Sequence, residues 1–278
     1  MIPSRTVSLA TACARVTREV PLQPWPGGHD GGYRLVGHGP RLLLVLPGLV
    51  GPADALAAIG DTLADEYRSV FVHYPTVPSL DPLLAGLDAV RRQQGAATVA
   101  ICGGSFGALV AQAWLARDPA VIDRLVLSGA GPAEPGRAVS NARRLPWMAR
   151  MPMAVWRTLL RLAVRLSTAR SADRAYWRAC YGEAIAALDW PHLESRYRIA
   201  IDVDRGGPPS PATLAGWAGE VLVIEGGRDA VASERARAAL RAVFPRARFH
   251  RIADAGHGLA LEQPDEWLRV TSAFLREP

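Results

Sequence analysis

Short apolar runs alternate along the chain with stretches whose apolar residues recur every three or four positions. The runs are Arg41 to Leu46 (RLLLVL), Ser69 to Pro75 (SVFVHYP), Thr98 to Cys102 (TVAIC), Arg124 to Gly129 (RLVLSG) and Glu220 to Gly227 (EVLVIEGG). Weaker ones cover Tyr33 to Gly37 and the FHRIADAG segment from Phe249. Runs this short and this apolar, bounded by Gly and Pro, predict strands buried on both faces. Helical spacing covers Asp54 to Tyr67, with Leu56, Ile59 and Leu63 in register, then Asp81 to Gln94 and Gly107 to Arg117. It returns at 233–243 and 264–275. Strand and helix in regular alternation predict an α/β fold, a mostly parallel sheet with helices on both faces.

The alternation stops near Gly131-Pro132 and resumes at Glu220. Between them the pattern is helical or loop, with no strand run. The organisation expected is an irregular, Pro- and Gly-rich segment over 1–32, a core of 33–132 and 215–278, and a helical insertion over 133–214. The insertion should lie over the carboxyl edge of the sheet, where open α/β sheets place ligands. The opening MIPSRTVSLATACAR has its apolar stretch broken by Thr6, Ser8 and Thr11, so it is not read as a signal peptide. No run reaches the roughly 18 apolar residues of a spanning helix.

The sharpest local feature is ICGGSFGALV, residues 101–110. A strand that turns at once into a helix presents the corner residue to solvent. Its neighbours two positions away must be small, because the two backbones nearly collide there; Gly103 and Gly107 meet that need. Ser105 is therefore a candidate nucleophile. The bland alternative is a tight turn without chemistry. A phosphate-cradling loop is disfavoured, because no Lys follows at the required spacing.

A serine hydroxyl needs a base, and the base needs an orienting acid. Six histidines compete. His257, in DAGHGLALEQP between the last strand and the last helix, has glycines on both sides that let its ring approach another loop. His73 and His250 fall inside strand runs, which suggests structural roles. Asp229, in GGRDAVAS just past the strand EVLVIEGG, stands at the same sheet edge as Ser105. An aspartate there can also be a simple helix cap, and Glu225 and Asp254 are rivals for the role.

The order Ser105, Asp229, His257, each on its own post-strand loop, resembles the α/β-hydrolase fold superfamily over residues 33–132 and 215–276. The insertion falls where many members carry a helical cap over the active site. The resemblance implies a serine hydrolase acting on an ester or thioester through these three residues, without a metal or organic cofactor. It implies oxyanion donors at the backbone N–H of Leu49 and Phe106. Many members have His-Gly in the first of these loops, where this chain has Pro47-Gly48-Leu49-Val50-Gly51. The loop TVPSLDP after SVFVHYP is short and is loosely similar to maspardin-type members. Two further readings stay open: a biosynthetic enzyme of this fold doing cyclisation, elimination or C–C cleavage, and a non-catalytic binding protein.

Charge changes the picture of the insertion. All 32 basic residues are arginine, and the formal net charge is +6. Residues 131–215 hold thirteen Arg against seven Asp or Glu, and the rest of the chain holds nineteen of each. The helical segment MAVWRTLLRLAVRLSTAR carries Arg157, Arg161 and Arg165 four apart. Trp156, Leu159, Leu160, Ala163 and Leu166 share its other side, which is expected to pack on the core. The basic stripe is either simply solvated or attracts an acidic partner, an anionic substrate or a membrane interface. No nucleic-acid-binding motif is present. Trp147, Met151, Trp156, Trp177 and Tyr181 are candidates to line an apolar pocket above Ser105, which favours a hydrophobic small-molecule substrate. The three cysteines show neither metal spacing nor an even disulfide set, which points to a reducing, cytoplasmic setting. A monomer or homodimer is expected.

Overall fold

The apolar runs become strands of one sheet: β1 (Gln23–Pro24), β2 (Gly32–Val36), β3 (Arg41–Leu46), β4 (Tyr67–His73), β5 (Val99–Gly104), β6 (Ile122–Ser128), β7 (Glu220–Gly226) and β8 (Arg248–Ile252). In the computed structural model, which describes residues 8–277, their spatial order is β1-β2-β4-β3-β5-β6-β7-β8. β1 and β2 run antiparallel to their neighbours, and every pairing from β4 to β8 is parallel.

Alternation within each strand decides the layering. Leu42, Leu44 and Leu46 of β3 join one buried cluster, while Leu43 and Val45 join another. The same split separates Ile101 from Cys102, Leu125 from Val126, and Val223 from Ile224. Both faces are apolar, so both must be covered. The first is packed by α3 (Leu80–Gln93), α4 (Phe106–Arg117) and α10 (Glu234–Val243), through residues such as Leu87, Trp114 and Leu240. The second is packed by α1 (Leu9–Glu19), α2 (Ala57–Thr62) and α12 (Pro264–Arg276), through Val16, Ile59 and Trp267.

Five helices follow β6 before the chain returns in β7: α5 (Pro135–Met148), α6 (Met153–Ser167), α7 (Arg174–Ala187), α8 (Trp190–Gly206) and α9 (Pro211–Gly216). α8 anchors them to the carboxyl edge of the sheet. Its Ser195 hydroxyl donates to the Val77 carbonyl at 2.7 Å and accepts from the Val77 N–H at 2.9 Å. Its Asp202 accepts from the N–H of Leu80, the first residue of α3, at 3.2 Å. Its buried Asp204 takes two hydrogen bonds from Arg137, at 2.7 and 2.5 Å, and one from the Glu134 N–H at 3.0 Å, fixing the start of α5.

Three local expectations are corrected. Residues 9–19, expected to be irregular, form α1. Ser8 caps it by accepting from the Thr11 N–H, and Leu9, Ala12, Cys13 and Val16 form a buried stripe. With Ala10, small Ala and Cys residues make up three of the five buried positions, so the apolar signal is faint. The rest of that expectation, residues 1–7, lies outside the described residues. The helix expected over Asp54 to Tyr67 is a 3₁₀ turn, Ala53–Leu56, followed by the short α2, because Tyr67 pairs with Arg41 in the sheet. On α6, only Trp156 and Val164 are buried; Leu159, Ala163 and Leu166 face solvent.

One buried carboxylate ties α1 to the sheet. Asp54 accepts from the Thr17 hydroxyl at 3.0 Å and from Arg34 Nε at 3.1 Å, and its other oxygen lies 3.2 Å from His73 Nε2. Burial alone would raise its pKa, but the hydrogen bond and charge of His73, with Arg34 and Thr17, hold it below the ordinary value. Asp54→Ala leaves Arg34 without its buried partner and is expected to cost about 3 kcal/mol of unfolding free energy in urea titration. Since folding depresses the Asp54 pKa, its contribution is full above an unfolded value of about 4 and is lost as pH falls through the folded value. The stability gap between wild type and Asp54→Asn should therefore close in acid.

Candidate functional site

β5 runs into α4 with one residue at the corner. Ser105 has φ +49° and ψ −111°, and among the described residues it alone, glycines aside, has positive φ. Such a conformation costs on the order of 1–3 kcal/mol and persists only where its surroundings over-determine it. Here they do. The Ser105 N–H donates to the Ser128 carbonyl of β6 at 2.9 Å. A Cβ at Gly107 would lie 2.1 Å from the Leu46 carbonyl oxygen, and one at Gly103 would lie 2.7 Å from the Ala108 nitrogen. Glycine is thus required on both sides of the serine, because α4 starts against the end of β3. Gly104 faces open space, and a Cβ there would meet nothing within 4 Å.

The loops after β7 and β8 bring the partners. They are held together by the Gly227 N–H on the Ile252 carbonyl and the Arg228 N–H on the Ala255 carbonyl, both at 2.8 Å. The buried Glu262 of α11 (Leu259–Glu262) accepts from the Gly256 N–H at 2.6 Å, fixing the Ala255–Gly256 peptide one residue ahead of His257. His257 Nε2 then lies 3.0 Å from Ser105 Oγ, and Nδ1 lies 3.0 Å from Asp229 Oδ2. The carboxylate can only accept, so Nδ1 carries the hydrogen and the Nε2 lone pair faces the serine hydroxyl.

The Asp229 side chain is fully buried. Burial would raise its pKa, but the His257 hydrogen bond and charge and the N–H groups of Ala232 and Val231, at 2.9 and 2.8 Å, lower it overall. The carboxylate is thereby kept charged although it is shielded from solvent. Its rivals are elsewhere: Glu225 pairs with Arg241 at 2.5 Å and Asp254 with Arg228 at 2.6 Å. His73 is bound to Asp54, and His250 lies 2.7 Å from Glu266.

Ser105 and His257 open onto a largely apolar cavity of about 330 Å³. Leu49, Leu160, Val164, Tyr181 and Leu259 contribute to its wall, so α6 and α7 of the insertion close the space above the serine. Of the five side chains expected there, Tyr181 is in the wall. Trp147 is 71% exposed at the end of α5. Met151 and Trp156 pack in a separate cluster with Leu193, where the Trp156 indole N–H donates to the Met148 carbonyl at 3.2 Å. Trp177 is buried against the α1 side of the sheet. Aromatic size marks burial in the sequence, but says nothing of which face is buried; the wall residues Leu160 and Val164 are legible only as part of a helix stripe.

Leu49 and Phe106 flank the serine. Phe106 is the first residue of α4, where a backbone N–H has no acceptor within the helix. The Leu49 loop is pinned at two carbonyls: the Tyr74 hydroxyl donates to that of Pro47 at 3.1 Å, and Arg196 of α8 donates to that of Leu49. The Arg196 guanidinium also lies over the Tyr74 ring, 6.0 Å from its centre. These two bonds fix the peptides on either side of the one that carries the Leu49 N–H. Nothing in the sequence marks this pair, since Arg196 and Leu49 are distant in the chain.

A family model described as alpha/beta hydrolase fold matches residues 42–264. The chain belongs to this family. Among solved structures, it is similar to a hydrolase from Pseudomonas aeruginosa PA01, with a TM-score of 0.75 and 20% identity over 93% of this chain and 99% of that one. A thermophilic esterase from Thermogutta terrifontis aligns with a TM-score of 0.71 and 20% identity, over 92% and 97% of the two chains. At such identity the likeness is one of fold. Esterase YbfF of Escherichia coli (strain K12) is 41% identical over 64 residues, a stretch that is 23% of this chain and 25% of that esterase.

The α/β-hydrolase corner makes a paired expectation. Gly107→Ala places a methyl group against the Leu46 backbone and should lower the urea midpoint by the equivalent of at least about 2 kcal/mol. Gly104→Ala, two residues before the helix and facing open space, should stay within about 1 kcal/mol of wild type.

Proposed function

We propose that the protein is a serine esterase or thioesterase for a hydrophobic small-molecule acyl group. The observation that carries this is the unbroken row Asp229–His257–Ser105, with Oγ on the floor of the apolar cavity. In the proposed reaction Ser105 Oγ attacks the substrate carbonyl while His257 Nε2 takes its proton. Asp229 stabilises the imidazolium that results. The Leu49 and Phe106 N–H groups would receive the developing oxyanion, each worth on the order of 100- to 1000-fold in rate. His257 then returns the proton to the leaving alcohol or thiol. Water, activated through the same ring, releases the acyl group and frees the serine. A cavity near the small end of the roughly 300–1,000 Å³ range of ligand pockets suits short to medium acyl chains. A reading on the same site without catalysis would leave a strained serine and a buried carboxylate with no task.

The deciding experiment is reaction with a fluorophosphonate probe, mapped by mass spectrometry, beside p-nitrophenyl esters of graded chain length. Labelling is expected at Ser105 and should vanish in Ser105→Ala. Turnover is expected to be best for butyrate- to octanoate-sized chains and poor for palmitate. Asp229→Asn should lower kcat about 10³- to 10⁴-fold. A folded protein that is neither labelled nor active would overturn the reading; labelling without ester turnover would move it to the biosynthetic class.

Arg196 supplies a second check from the insertion. With its hydrogen bond to the Leu49 carbonyl removed, the oxyanion loop loses one of its two pins. Arg196→Met is expected to lower kcat about tenfold with little change in KM, and Arg196→Lys to recover part of the loss, because the defect lies in transition-state geometry.

A further inference from the structure

The surface of the insertion is built unlike the rest of the molecule. Between residues 138 and 188 nine arginines face two acidic residues, Asp173 and Glu183. Elsewhere arginines are commonly paired: Arg34 with Asp54, Arg92 with Asp88, Arg237 with Glu234, Arg276 with Glu66. Among the described residues, Arg143, Arg144, Arg150, Arg161 and Arg165 form no ion pair with a carboxylate, and all are exposed.

Beside these charges lies an uncovered apolar row. Val155, Leu159, Leu162 and Leu166 of α6 are 42%, 48%, 53% and 67% exposed. Their spacing of four, three and four puts them on one stripe of the helix. Arg161 and Arg165 lie to one side of the stripe. On the other side Leu160 and Val164 turn down into the cavity above Ser105. The stripe itself faces away from the cavity, whose lining on α6 is Leu160, Ala163, Val164 and Ser167. Val231, in the loop after β7, also lines the cavity and is 70% exposed.

We infer that α6 docks the protein on an anionic lipid surface. The row is a convex helix face, which an acyl boundary can receive without a preformed groove, and the unpaired guanidinium groups stand where lipid phosphates would meet them. Charge complementarity selects anionic over neutral lipid. No spanning segment is involved: among the described residues no helix is long and apolar enough to cross a membrane. The inference concerns binding alone and is independent of the reaction proposed above.

The test is co-sedimentation of the full chain with vesicles of phosphatidylcholine, alone or mixed with phosphatidylglycerol, at low and high salt. Binding is expected to the mixed vesicles only, and to weaken as salt rises. The double variant Leu162→Ser, Leu166→Ser and the double variant Arg161→Gln, Arg165→Gln should each lower it at least tenfold; one basic residue near such a surface is worth about fivefold. Both variants should keep the wild-type thermal unfolding midpoint, and whatever turnover of soluble esters the wild type has. No binding by the folded wild type, equal binding to neutral vesicles, or unaltered binding by both variants would overturn the inference. So would saturable binding to polyglutamate that matches the vesicle affinity and ignores the leucine variant, which would assign the face to an acidic protein. A dimer in sedimentation that the leucine variant abolishes, without vesicle binding, would assign it to a second copy.

Discussion

The close approach of α4 to β3 is the constraint on which the site depends. The helix begins against the Leu46 carbonyl, at a distance only glycine at position 107 permits. That contact bends the chain so sharply that Ser105 is held at positive φ, with its hydroxyl standing clear of the sheet. It also brings the first N–H groups of α4 beside the Pro47–Val50 loop, which leaves β3 at the same place. One steric condition thus sets the exposure of the serine and its proximity to two backbone donors. The cost in backbone strain is carried by the parallel ladder on either side, where β5 pairs with both β3 and β6.

Around this fixed corner the remaining groups are brought in from far along the chain, each by a different physical means. His257 and Asp229 arrive through hydrogen bonds between two adjacent post-strand loops. The Leu49 loop is held by a phenol and a guanidinium that reach it from β4's far end and from α8. Part of the cavity wall comes from α7 and from α6, whose Trp156 ring packs against Trp190 and Tyr197 of α8. The insertion is therefore not a passive cover: the helix that anchors it also touches the loop beside the serine.

Much of this is legible in the sequence. The parallel strands announce themselves as uninterrupted Val, Leu and Ile runs because both faces of each are buried. Gly103, Ser105 and Gly107 announce the corner because no other spacing relieves that collision. Asp229 and His257 are marked by their place after a strand, and they meet at 3.0 Å. What escapes has a common cause. α1 buries small residues, so its stripe carries little hydrophobic weight. Trp156 and Trp177, expected in the pocket, are buried elsewhere, because size speaks for burial and not for direction, and Trp147 is exposed. Leu159 and Leu166 on α6 read as inward-facing, since an apolar stripe alone does not say whether protein or something else covers it. Arg196 and Tyr74 act on backbone carbonyls, which any sequence supplies, so no pattern marks their targets.

β8 has a consequence for how the molecule fails. It is the outermost strand, paired on one side only, to β7, and four of its five residues are partly or fully open to solvent. The loop that carries His257 starts at the end of this strand, whereas Ser105 follows a strand with two inner neighbours. Local opening is least costly at such edges. Under gentle heating or low denaturant His257 should therefore drift out of reach of Ser105 while most of the sheet is still intact. On the reaction proposed above, loss of turnover would precede loss of secondary structure, and it would be recovered on cooling, because the corner that defines the site never came apart.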